Sequence, residues 1–472
     1  MSEYTPNQKA DSGLLGFNQK AEYGLSDSQQ KADAGLLAAN AQIPESGASL
    51  CAQKPELLAP AGGIDQLEYA LHFGADAVYL ACDRFGLRQR AANFSLDEVK
   101  QAVELAHAAD ARVYVTLNAS MDGSDIAALP PYLEALAAAG VDAFIMSDLG
   151  AVRLARRHAP LVPIHISTQA SCMNAQAALQ WHELGAKRIV CAREMSIADI
   201  AAMRKELPED LELEAFVHGA MCMAVSGRCL ISDYLNGRSA NKGHCTQPCR
   251  WGYSLVEETR PDERFPIEES DGLSLIMSSK DLNMLHHLDD LAAAGINSIK
   301  IEGRVKKAYY VATVVNAYRQ VLDGADPTSF DRDLDAVSHR PYSTGFFYGP
   351  AEQAPQGPEY AQTHSLAATV QECVPRADGF DVTIDLRNRF FEGDELEVLS
   401  PGEPVRTLPA RNLRRIPRYA DGRAGEPVEV DVADRATERY LMTSPFPLEY
   451  RDILRVRLAE ADASRGRSFP TT

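Results

Sequence analysis

The sequence has no run of about 18 apolar residues, the length that a helix needs to span a bilayer. Its start, MSEYTPNQKADSG, also lacks the basic and apolar regions of a signal peptide. These absences argue against a membrane partner and predict a cytoplasmic location. Thiols stay reduced in that compartment, so clustered cysteines there are more often metal ligands or catalysts than disulfides.

Familiar catalytic motifs are missing as well. No GxGxxG follows the first predicted strand, where the turn reads APAGG, so dinucleotide binding has little support. Neither HExxH nor GxSxG occurs; the nearest runs are WHELGA at 181–186 and AVSGR around Ser226. Basic residues are in deficit too, because 47 Lys and Arg face 66 Asp and Glu, a net charge of −19. That balance argues against broad, nonspecific nucleic-acid binding but leaves room for a local basic patch.

The first 53 residues differ from the rest of the chain. A repeat places QKADSGLL at Gln8, QKAEYGLS at Gln19 and QKADAGLL at Gln30. Such an eleven-residue period can produce a supercoiled helix. Each copy carries a glycine, however, and the segment is strongly polar. We therefore expect a low-complexity, disordered or weakly helical tail at 1–53.

From Glu56 onward, short β-rich apolar runs alternate with Ala- and Leu-rich helical stretches such as 96–109 and 129–140. This β-then-α order predicts an α/β protein with a (β/α)8, TIM-like barrel at 54–330. A doubly wound open sheet is the alternative, because a sequence does not show closure. The predicted strands are ELLAP (56–60), DAVYLAC (76–82), RVYVTLN (112–118), DAFIMSD (142–148), PIHISTQ (163–169), RIVCARE (188–194), LEAFVHG (213–219) and SIKIEG (298–303).

Four of the nine cysteines lie in an insertion at 220–290, directly after the seventh strand. In a TIM barrel, the segment after a strand opens onto the catalytic face. Four thiolates can hold either a tetrahedral zinc ion or a 4Fe–4S cluster. The wide first gap of the spacing C-x6-C-x15-C-x3-C favours the cluster over a zinc knuckle, and four unrelated thiols are the third reading. The cysteines are Cys222, Cys229, Cys245 and Cys249; Cys51, Cys82, Cys172, Cys191 and Cys373 fit buried thiols better.

Polar side chains end most of the predicted strands. Each one alone is more often a cap or an ion-pair partner, but in a barrel they meet at one mouth and predict a polar substrate pocket. The candidate catalytic residues are His165, Gln169, Glu194, His218 and Glu302. The candidate substrate-binding residues are Arg88, Arg90, Asn93, Asn118, Thr168, Arg193, Lys300 and Arg304, and Asp148 is a further polar strand end.

Beyond a connecting segment at 331–364, the pattern changes to short alternating strands. SLAATVQECV, GFDVTIDL, GDELEVLS and EPVEVDV alternate apolar and polar residues between glycine turns. They predict a small all-β domain, a β-barrel, at 365–457 and a flexible tail at 458–472. The segment 404–418 is either a solvated loop or a local basic patch with a binding role. Its basic residues are Arg406, Arg411, Arg414, Arg415 and Arg418.

Several of these segments together resemble one known family. EAFVHGAMCMAVSGRCLIS (214–232), which contains the first two cysteines of the cluster, resembles the signature of the collagenase-like peptidase family U-32. Six further segments resemble the same family. They are ELLAPAG (56–62), GADAVYL (74–80), the STQ of the fifth strand, SSKDL (278–282), SIKIEGR (298–304) and HRPYSTGFF (339–347). The similarity covers residues 54–457.

The resemblance implies a chemistry that the family name does not suggest. Its better understood members modify RNA or hydroxylate quinones, and the cysteines in GHCTQPCRWGY (243–253) resemble the RNA branch. This implies a 4Fe–4S cluster on Cys222, Cys229, Cys245 and Cys249. It also implies oxygen-independent hydroxylation of an RNA pyrimidine, with prephenate as co-substrate. The five arginines of 404–418 would then be candidates for contact with RNA phosphates. An electron donor is a further partner that the resemblance leaves unidentified.

Two kinds of RNA enzyme fit this branch. One makes 5-hydroxyuridine at the wobble position of the tRNA anticodon loop, and the other makes 5-hydroxycytidine in 23S rRNA. The chain length and LRNRFFEGDELEVLSP (386–401) resemble the tRNA kind, which we favour, whereas NGRSANKGHC (236–245) resembles the rRNA kind. A U-32 protease and a noncatalytic iron–sulfur accessory subunit are the remaining alternatives. The protease has little support, because no nucleophile–base pair is visible.

Overall fold

The computed structural model describes residues 54–87, 93–221, 231–238, 243–248, 254–257, 260–266, 280–351, 360–419 and 423–458. The predicted tail at 1–53 and nearly all of that at 458–472 lie outside these ranges. In the described part of the chain, no helix is long and apolar enough to cross a membrane.

Eight parallel strands form a closed barrel. Pairing runs in sequence order from β1 to β7, and β11 pairs with both β7 and β1, which closes the ring. The (β/α)8 prediction is confirmed, and the open sheet is excluded. The strands are β1 (Glu56–Pro60), β2 (Ala77–Ala81), β3 (Arg112–Leu117), β4 (Ala143–Met146), β5 (Ile164–Ile166), β6 (Ala186–Val190), β7 (Glu212–Ala220) and β11 (Ser298–Ile301).

Helices follow the barrel strands and pack on the outer face. Polar caps set where they begin: Ser95 forms a capping box with Glu98. The helix expected at 129–140 begins earlier, because Asp122 forms a capping box with Asp125, and it continues through two prolines. The helices are α1 (Ile64–His72), α2 (Leu96–Ala108), α3 (Gly123–Ala138), α4 (Leu149–His158), α5 (Ala175–Glu183), α6 (Ile197–Glu206), α8 (Leu288–Ala293) and α9 (Ala308–Leu322).

The barrel strands bury both of their faces. Because side chains alternate along a strand, one set packs outward against the helices and the other fills the lumen. Leu57 and Val78 belong to the large outer cluster, whereas Leu58, Tyr79 and Tyr114 belong to a small inner one. The lumen is therefore a packed core, as is typical of this fold.

The described end of the long insertion after β7 pairs with the barrel. β10 (Asp281–Asn283) pairs antiparallel with the end of β7, so that Asp281 lies opposite Ala220, and β12 (Tyr342–Ser343) pairs with β10. The buried Arg340 guanidinium donates to Asp281 Oδ1 from Nε at 2.9 Å and from Nη2 at 2.7 Å. Both ends of the cysteine segment are thus fixed to β7. The insertion includes α7 (Ile231–Asn236), β8 (Ser254–Glu257) and β9 (Arg260–Pro266).

An antiparallel all-β domain follows α10 (Asp331–Ala336), which confirms the predicted change of class. Its main sheet has the order β17-β16-β22-β13-β14-β21-β18-β19, and β15 pairs with β20. The strands are β13 (His364–Arg376), β14 (Gly379–Leu386), β15 (Phe390–Phe391), β16 (Glu395–Leu399), β17 (Arg406–Pro409), β18 (Arg411–Ile416), β19 (Val428–Glu429), β20 (Val432–Ala433), β21 (Arg439–Ser444) and β22 (Ile453–Arg457).

A buried ionic cluster joins this domain to α10. Arg455 of β22 donates to Glu397 Oε2 of β16 at 2.8 Å and to Asp333 Oδ1 of α10 at 2.5 Å. Arg332 of α10 also pairs with Glu397, and His364 Nε2 lies 3.4 Å from Glu397 Oε1. The β domain is therefore docked on the barrel by charges that are shielded from water.

We expect Glu397 to make the fold sensitive to acid. Burial would raise the pKa of Glu397, but the hydrogen bond with His364 and the charge of Arg455 lower it to about 2. A carboxylate with a lowered folded-state pKa stabilises the fold above its unfolded value of about 4.3, and this contribution is lost as the pH falls toward the folded value. The melting temperature of the wild type should therefore fall more steeply between about pH 5 and pH 2 than that of Glu397→Gln.

The matched control is Glu395→Gln, two residues earlier on the same strand, where the side chain is exposed. Its melting temperature should follow the wild-type pH profile. Parallel profiles for the wild type and Glu397→Gln would show that this carboxylate does not hold the domains together.

Candidate active site at the barrel mouth

Three side chains meet at the carboxyl end of the barrel. Tyr79 donates its hydroxyl hydrogen bond toward Glu302 Oε2 at 3.1 Å and toward the Ile301 carbonyl at 2.9 Å. Arg304 donates to Thr116 Oγ1 at 3.2 Å, and its guanidinium carbon lies 5.7 Å from the centre of the Tyr79 ring. The predicted residues Glu302 and Arg304 are thus brought together around a tyrosine.

Tyr79 was missing from the predicted site, although its strand carried the signal. Alternation along β2 places residues 77, 79 and 81 on one face, and the other two are alanines. Because small residues flank it on the inward face, the tyrosine places its hydroxyl in the lumen, where a site residue is expected. The turn after β1 packs closely against the backbone of Arg304, since a Cβ on Gly62 would lie 2.0 Å from the Arg304 carbonyl oxygen.

The loop after β2 is fastened across the mouth. Arg304 Nη2 donates to the Leu87 carbonyl at 2.8 Å, and the Leu87 amide donates to Asn118 Oδ1 at 3.4 Å. Asn118 Nδ2 in turn donates to Ser167 Oγ at 3.1 Å. Asn118 therefore joins three strand ends. Among the predicted anion ligands of this loop, Asn93 is half-buried, whereas Arg88 and Arg90 lie outside the described residues.

Three other predicted residues at the mouth have local structural partners. Thr168 Oγ1 donates to the Cys191 carbonyl at 3.2 Å and ties the end of β5 to that of β6. The Gln169 amide donates to Ser167 Oγ at 3.3 Å in a short 3-10 turn. Asp148 Oδ1 accepts from the Ala151 amide at 2.9 Å and caps α4. Thr168 and Asp148 thus shape the rim of the mouth through their side chains, and Gln169 does so through its backbone amide.

Arg193 and Glu194 follow β6 and are half-buried. The Arg193 guanidinium carbon lies 3.9 Å from the centre of the Phe216 ring, a cation–π contact. Nη1 of Arg193 donates to the Ala220 carbonyl at 2.6 Å. A small cavity beside this contact is lined by Arg193, Phe216, Met221 and Phe347, among others. Arg193 thus stands between the mouth and the start of the cysteine segment.

His218 does not join the residues at the mouth. A β-bulge in the pairing of β7 with β11 places His218 opposite Ile301, and its ring packs against Tyr310 and Tyr318 of α9. Its Nδ1 lies 3.3 Å from the Tyr318 hydroxyl. Burial lowers the pKa of His218 to about 3, so the imidazole is neutral at neutral pH. We therefore assign it to packing between the barrel wall and α9.

Lys300 and His165 lie deeper in the lumen. Lys300 Nζ donates to Glu214 Oε1 at 2.8 Å and is 3% exposed, so its charge is paired inside the barrel. Burial lowers the pKa of Lys300 more than Glu214 raises it. His165 packs edge-on against Tyr114, with ring centres 4.8 Å apart. Burial, together with Arg188 and Lys300, holds the pKa of His165 well below its usual value, so the imidazole is neutral at neutral pH.

A buried ionic network underlies these two residues, and sequence reasoning did not predict it. Arg188 Nη1 lies 2.6 Å from Glu56 Oε1 and 3.2 Å from Glu214 Oε2. The other Glu56 oxygen accepts from the Tyr114 hydroxyl at 2.7 Å. These side chains form an electrically balanced floor beneath the mouth, where each charge has a partner of opposite sign.

One cysteine of the proposed cluster is described. The Gln247 amide donates to Cys245 Sγ at 3.3 Å, and Gln247 adopts a left-handed φ of 57°. Hydrogen bonds to sulfur are typical around iron–sulfur ligands, so this local geometry fits a thiolate ligand. Cys222, Cys229 and Cys249 lie outside the described residues, and their role as ligands stays a prediction.

The remaining cysteines were predicted to be buried thiols. Cys82, Cys172 and Cys191 are buried, whereas Cys373 is half-buried and Cys51 lies outside the described residues. Burial raises the pKa of Cys82 and of Cys172 to about 11. These two thiols are therefore protonated and poorly nucleophilic at neutral pH.

The basic strip at 404–418 forms strands β17 and β18, so the solvated-loop reading is wrong for most of it. Arg414 pairs with Asp381 at 2.8 Å, and Arg415 pairs with Glu438 at 3.2 Å. Arg406 lies over the Phe446 ring, with its guanidinium carbon 4.5 Å from the ring centre. Arg411 and Arg418 are exposed. The strip therefore splits into three arginines with partners in the β domain and two that face solvent.

Both domains match known protein families. Residues 62–356 match the domain described as Peptidase family U32, and residues 362–455 match the Peptidase family U32 C-terminal domain. The chain belongs to peptidase family U32. The U32 domain contains the mouth residues and the cysteine segment.

Several relatives of this U32 protein carry names that refer to RNA hydroxylation, whereas one of Porphyromonas gingivalis (strain ATCC BAA-308 / W83) is named a collagenase. This chain is 39% identical over 370 residues to tRNA hydroxylation protein P1 of Bacillus subtilis (strain 168), which covers 75% of this chain and 86% of the relative. It is 34% identical over 393 residues to tRNA hydroxylation protein P of Escherichia coli (strain K12), which covers 74% and 86%. The 23S rRNA 5-hydroxycytidine synthase of Escherichia coli (strain K12) is 36% identical over 275 residues, which covers 58% of this chain and 40% of that relative.

Proposed function

We propose that this chain is a tRNA hydroxylase that converts the wobble uridine to 5-hydroxyuridine in a prephenate-dependent reaction. One observation carries the choice of RNA. The tRNA hydroxylation proteins align with about three quarters of this chain and with 86% of their own length. The rRNA synthase aligns with only 40% of its length, which makes 23S rRNA the second candidate.

The mouth has the chemistry to receive a dicarboxylate and a base. Arginine guanidinium groups bind carboxylates through two parallel hydrogen bonds, and Arg193 and Arg304 lie at the strand ends. A base in a single-stranded anticodon loop can be splayed out and held by its edge in such a pocket. Asn118 provides an amide at the rim for this purpose. The ion-paired side chains around Arg188 fill the lower part of the lumen, so substrates would bind in its upper part.

The reaction exchanges a hydrogen for a hydroxyl group. At C5 of the uracil ring, a C–H bond breaks and a C–O bond forms, and the co-substrate R–OH that supplies the hydroxyl group leaves as R–H. The two electrons lost by the ring are gained by the co-substrate, so atoms and electrons balance. Glu302, held by the Tyr79 hydroxyl, would accept the proton released from C5.

The four cysteines of the insertion would hold a 4Fe–4S cluster, which supplies one-electron redox chemistry when bound. The described residues on both sides of the cysteine segment pair with each other at the carboxyl end of β7, which supports a cluster on the same side of the barrel as the mouth. The exposed Arg411 and Arg418 would contact RNA phosphates, which orient the substrate without reading its sequence.

Reconstitution with purified protein tests the proposal. Anaerobically purified protein should contain about four irons and four sulfides per chain. With unmodified tRNA it should form 5-hydroxyuridine when prephenate is added and none without it. Product formed from a 23S rRNA fragment alone would select the second candidate. Full activity without prephenate would contradict the claim that prephenate is the co-substrate.

A further inference from the structure

The β domain exposes an aromatic ring beside an arginine on strand β15. Side chains alternate along a strand, so Phe390 is 1% exposed and packs inward, whereas Phe391 is 48% exposed and faces solvent. The guanidinium carbon of the exposed Arg389 lies 5.5 Å from the centre of the Phe391 ring. Among the described residues, no carboxylate forms an ion pair with Arg389. This arginine therefore keeps its charge available to a ligand.

The carboxylates next to Phe391 bind backbone amides instead of arginines. Glu392 accepts from two successive amides at the start of β18, at 2.9 and 2.8 Å. Asp394 Oδ2 accepts from the Phe391 amide at 2.8 Å. The bonds of Glu392 fix β15 beside the start of β18, where Arg411 is exposed and has no ion pair with the described residues. The Phe391 ring thus lies near two arginines that no carboxylate neutralises.

A second exposed ring follows β18. Tyr419 is 58% exposed, and its amide donates to the Arg423 carbonyl at 2.9 Å. A Cβ on Gly425 would lie 3.2 Å from Cε2, Cζ and Oη of Tyr419, so the tyrosine side chain packs directly on the glycine backbone. The preceding Arg418 is exposed and forms no ion pair with the described residues. An extended chain from Arg411 to Tyr419 spans roughly 25 Å.

Exposed rings and unpaired arginines along one strand suit single-stranded RNA. Unpaired bases stack on aromatic side chains, and arginines bind the phosphates between them. The basic side chains here are all arginines, since no lysine follows Lys307 in the sequence. Arginine binds phosphate through two hydrogen bonds and also stacks on planar groups, which lysine does not do. The net charge of −19 repels RNA elsewhere, so a local surface of this kind is needed.

We propose that the β domain binds unpaired nucleotides of the RNA substrate on an aromatic–arginine surface formed by Phe391, Tyr419, Arg389, Arg411 and Arg418. Bases stack on the two rings, and the arginines hold the phosphates. Paired bases in a duplex are stacked on one another and offer no free face, so the surface prefers single strands. This inference rests on the proposed function, because it requires a substrate with unpaired nucleotides.

Fluorescence anisotropy with the full-length protein and a labelled oligouridylate of about ten nucleotides tests the surface without measuring activity. Phe391→Ala and Tyr419→Ala should each weaken binding by about five- to hundredfold, the usual effect of removing one stacking ring. The salt dependence of binding should stay unchanged in both. Arg411→Gln should instead reduce the slope of log affinity against log salt by about 0.7, the value for one phosphate contact on a single strand.

Three variants serve as controls. Phe391→Tyr and Tyr419→Phe keep a ring at each position and should bind as the wild type does. Tyr450→Ala removes another ring of the same domain, which is 55% exposed and has Arg451 5.1 Å from its centre. Arg451, however, pairs with Glu68 at 2.6 Å, and three strands separate β22 from β18. Tyr450→Ala should therefore also bind as the wild type does.

The other outcomes overturn the surface and leave the hydroxylase standing. They are wild-type affinity in both alanine variants, and equal affinity of the wild type for oligouridylate and for a duplex of the same length. Self-association that Phe391→Ala abolishes, with oligouridylate binding unchanged, would assign the surface to a second copy of this chain. The hydroxylase itself fails if saturating tRNA yields no 5-hydroxyuridine, whatever the binding. If Phe391→Ala does not fold, Phe391→Leu replaces it, because leucine is apolar without a planar face and should weaken binding too.

Discussion

Replacing Glu302 by glutamine should lower the rate of tRNA hydroxylation by about 10²–10⁴-fold, the usual contribution of a positioned general base. Glutamine keeps the shape of the side chain and an oxygen that can accept from the Tyr79 hydroxyl, but it cannot accept the proton released from C5. The loss should appear in kcat, with little change in the KM for prephenate, because substrate binding is assigned to the arginines.

Tyr79→Phe is the matched control for Glu302→Gln. It removes the hydrogen bond to Oε2 while keeping the ring beneath Arg304 and the carboxylate itself. We expect a loss of about tenfold, because a hydrogen bond to a charged carboxylate contributes about 1.5 kcal/mol or more. The measurement is single-turnover formation of 5-hydroxyuridine, quantified by mass spectrometry of nucleosides. Wild-type rates in Glu302→Gln would exclude this carboxylate as the base.

Replacing Arg188 by methionine should destabilise the protein by about 3–5 kcal/mol, because removal of one partner leaves buried carboxylates without compensation. Arg188 is 2% exposed and contacts Glu56, Glu212 and Glu214 at 2.6, 2.7 and 3.2 Å. Glu214 is fully buried, so it has no access to water when Arg188 is gone. Its remaining ion-pair partner among the described residues is then Lys300, at 2.8 Å.

Lys187→Met is the control for Arg188→Met, because it alters the adjacent residue of the same strand. Lys187 pairs with Asp210 at 3.1 Å, and both side chains are more than half exposed. Such surface pairs contribute about 0–1 kcal/mol. Chemical denaturation followed by circular dichroism measures both variants. Equal losses for the two would show that the floor of the barrel is not held by its charges.

The sequence predicted the barrel well because its signal is local. Each strand is a short apolar run bounded by a helix, and the first, ELLAP, coincides with β1 at Glu56–Pro60. The predicted strands mostly ran too far at their carboxyl ends. RIVCARE extends to residue 194, whereas β6 ends at Val190. The polar residues placed at strand ends therefore lie in the loops and turns that follow them.

What the sequence could not predict depends on contacts between distant residues. Glu56 and Arg188 are 132 residues apart and meet only because the barrel closes. The bulge that turns His218 toward α9 likewise arises from pairing with β11 and leaves no mark in the sequence of β7. Lys300 was expected at the mouth with Glu302. Alternation along the strand shows which face a side chain is on, but it does not show how deep in the lumen the side chain lies. The ion pair with Glu214 holds the Lys300 side chain deep in the lumen.

Mass spectrometry of nucleosides from tRNA and from 23S rRNA of a strain that lacks this protein tests the central claim most directly. Loss of 5-hydroxyuridine and its derivatives from tRNA, with rRNA unchanged, is the predicted result. It should be restored by the wild-type gene and not by one that encodes Glu302→Gln. Unchanged tRNA with loss of 5-hydroxycytidine from 23S rRNA would contradict the tRNA assignment. Unchanged hydroxylation of both RNAs would contradict the claim that the protein is an RNA hydroxylase.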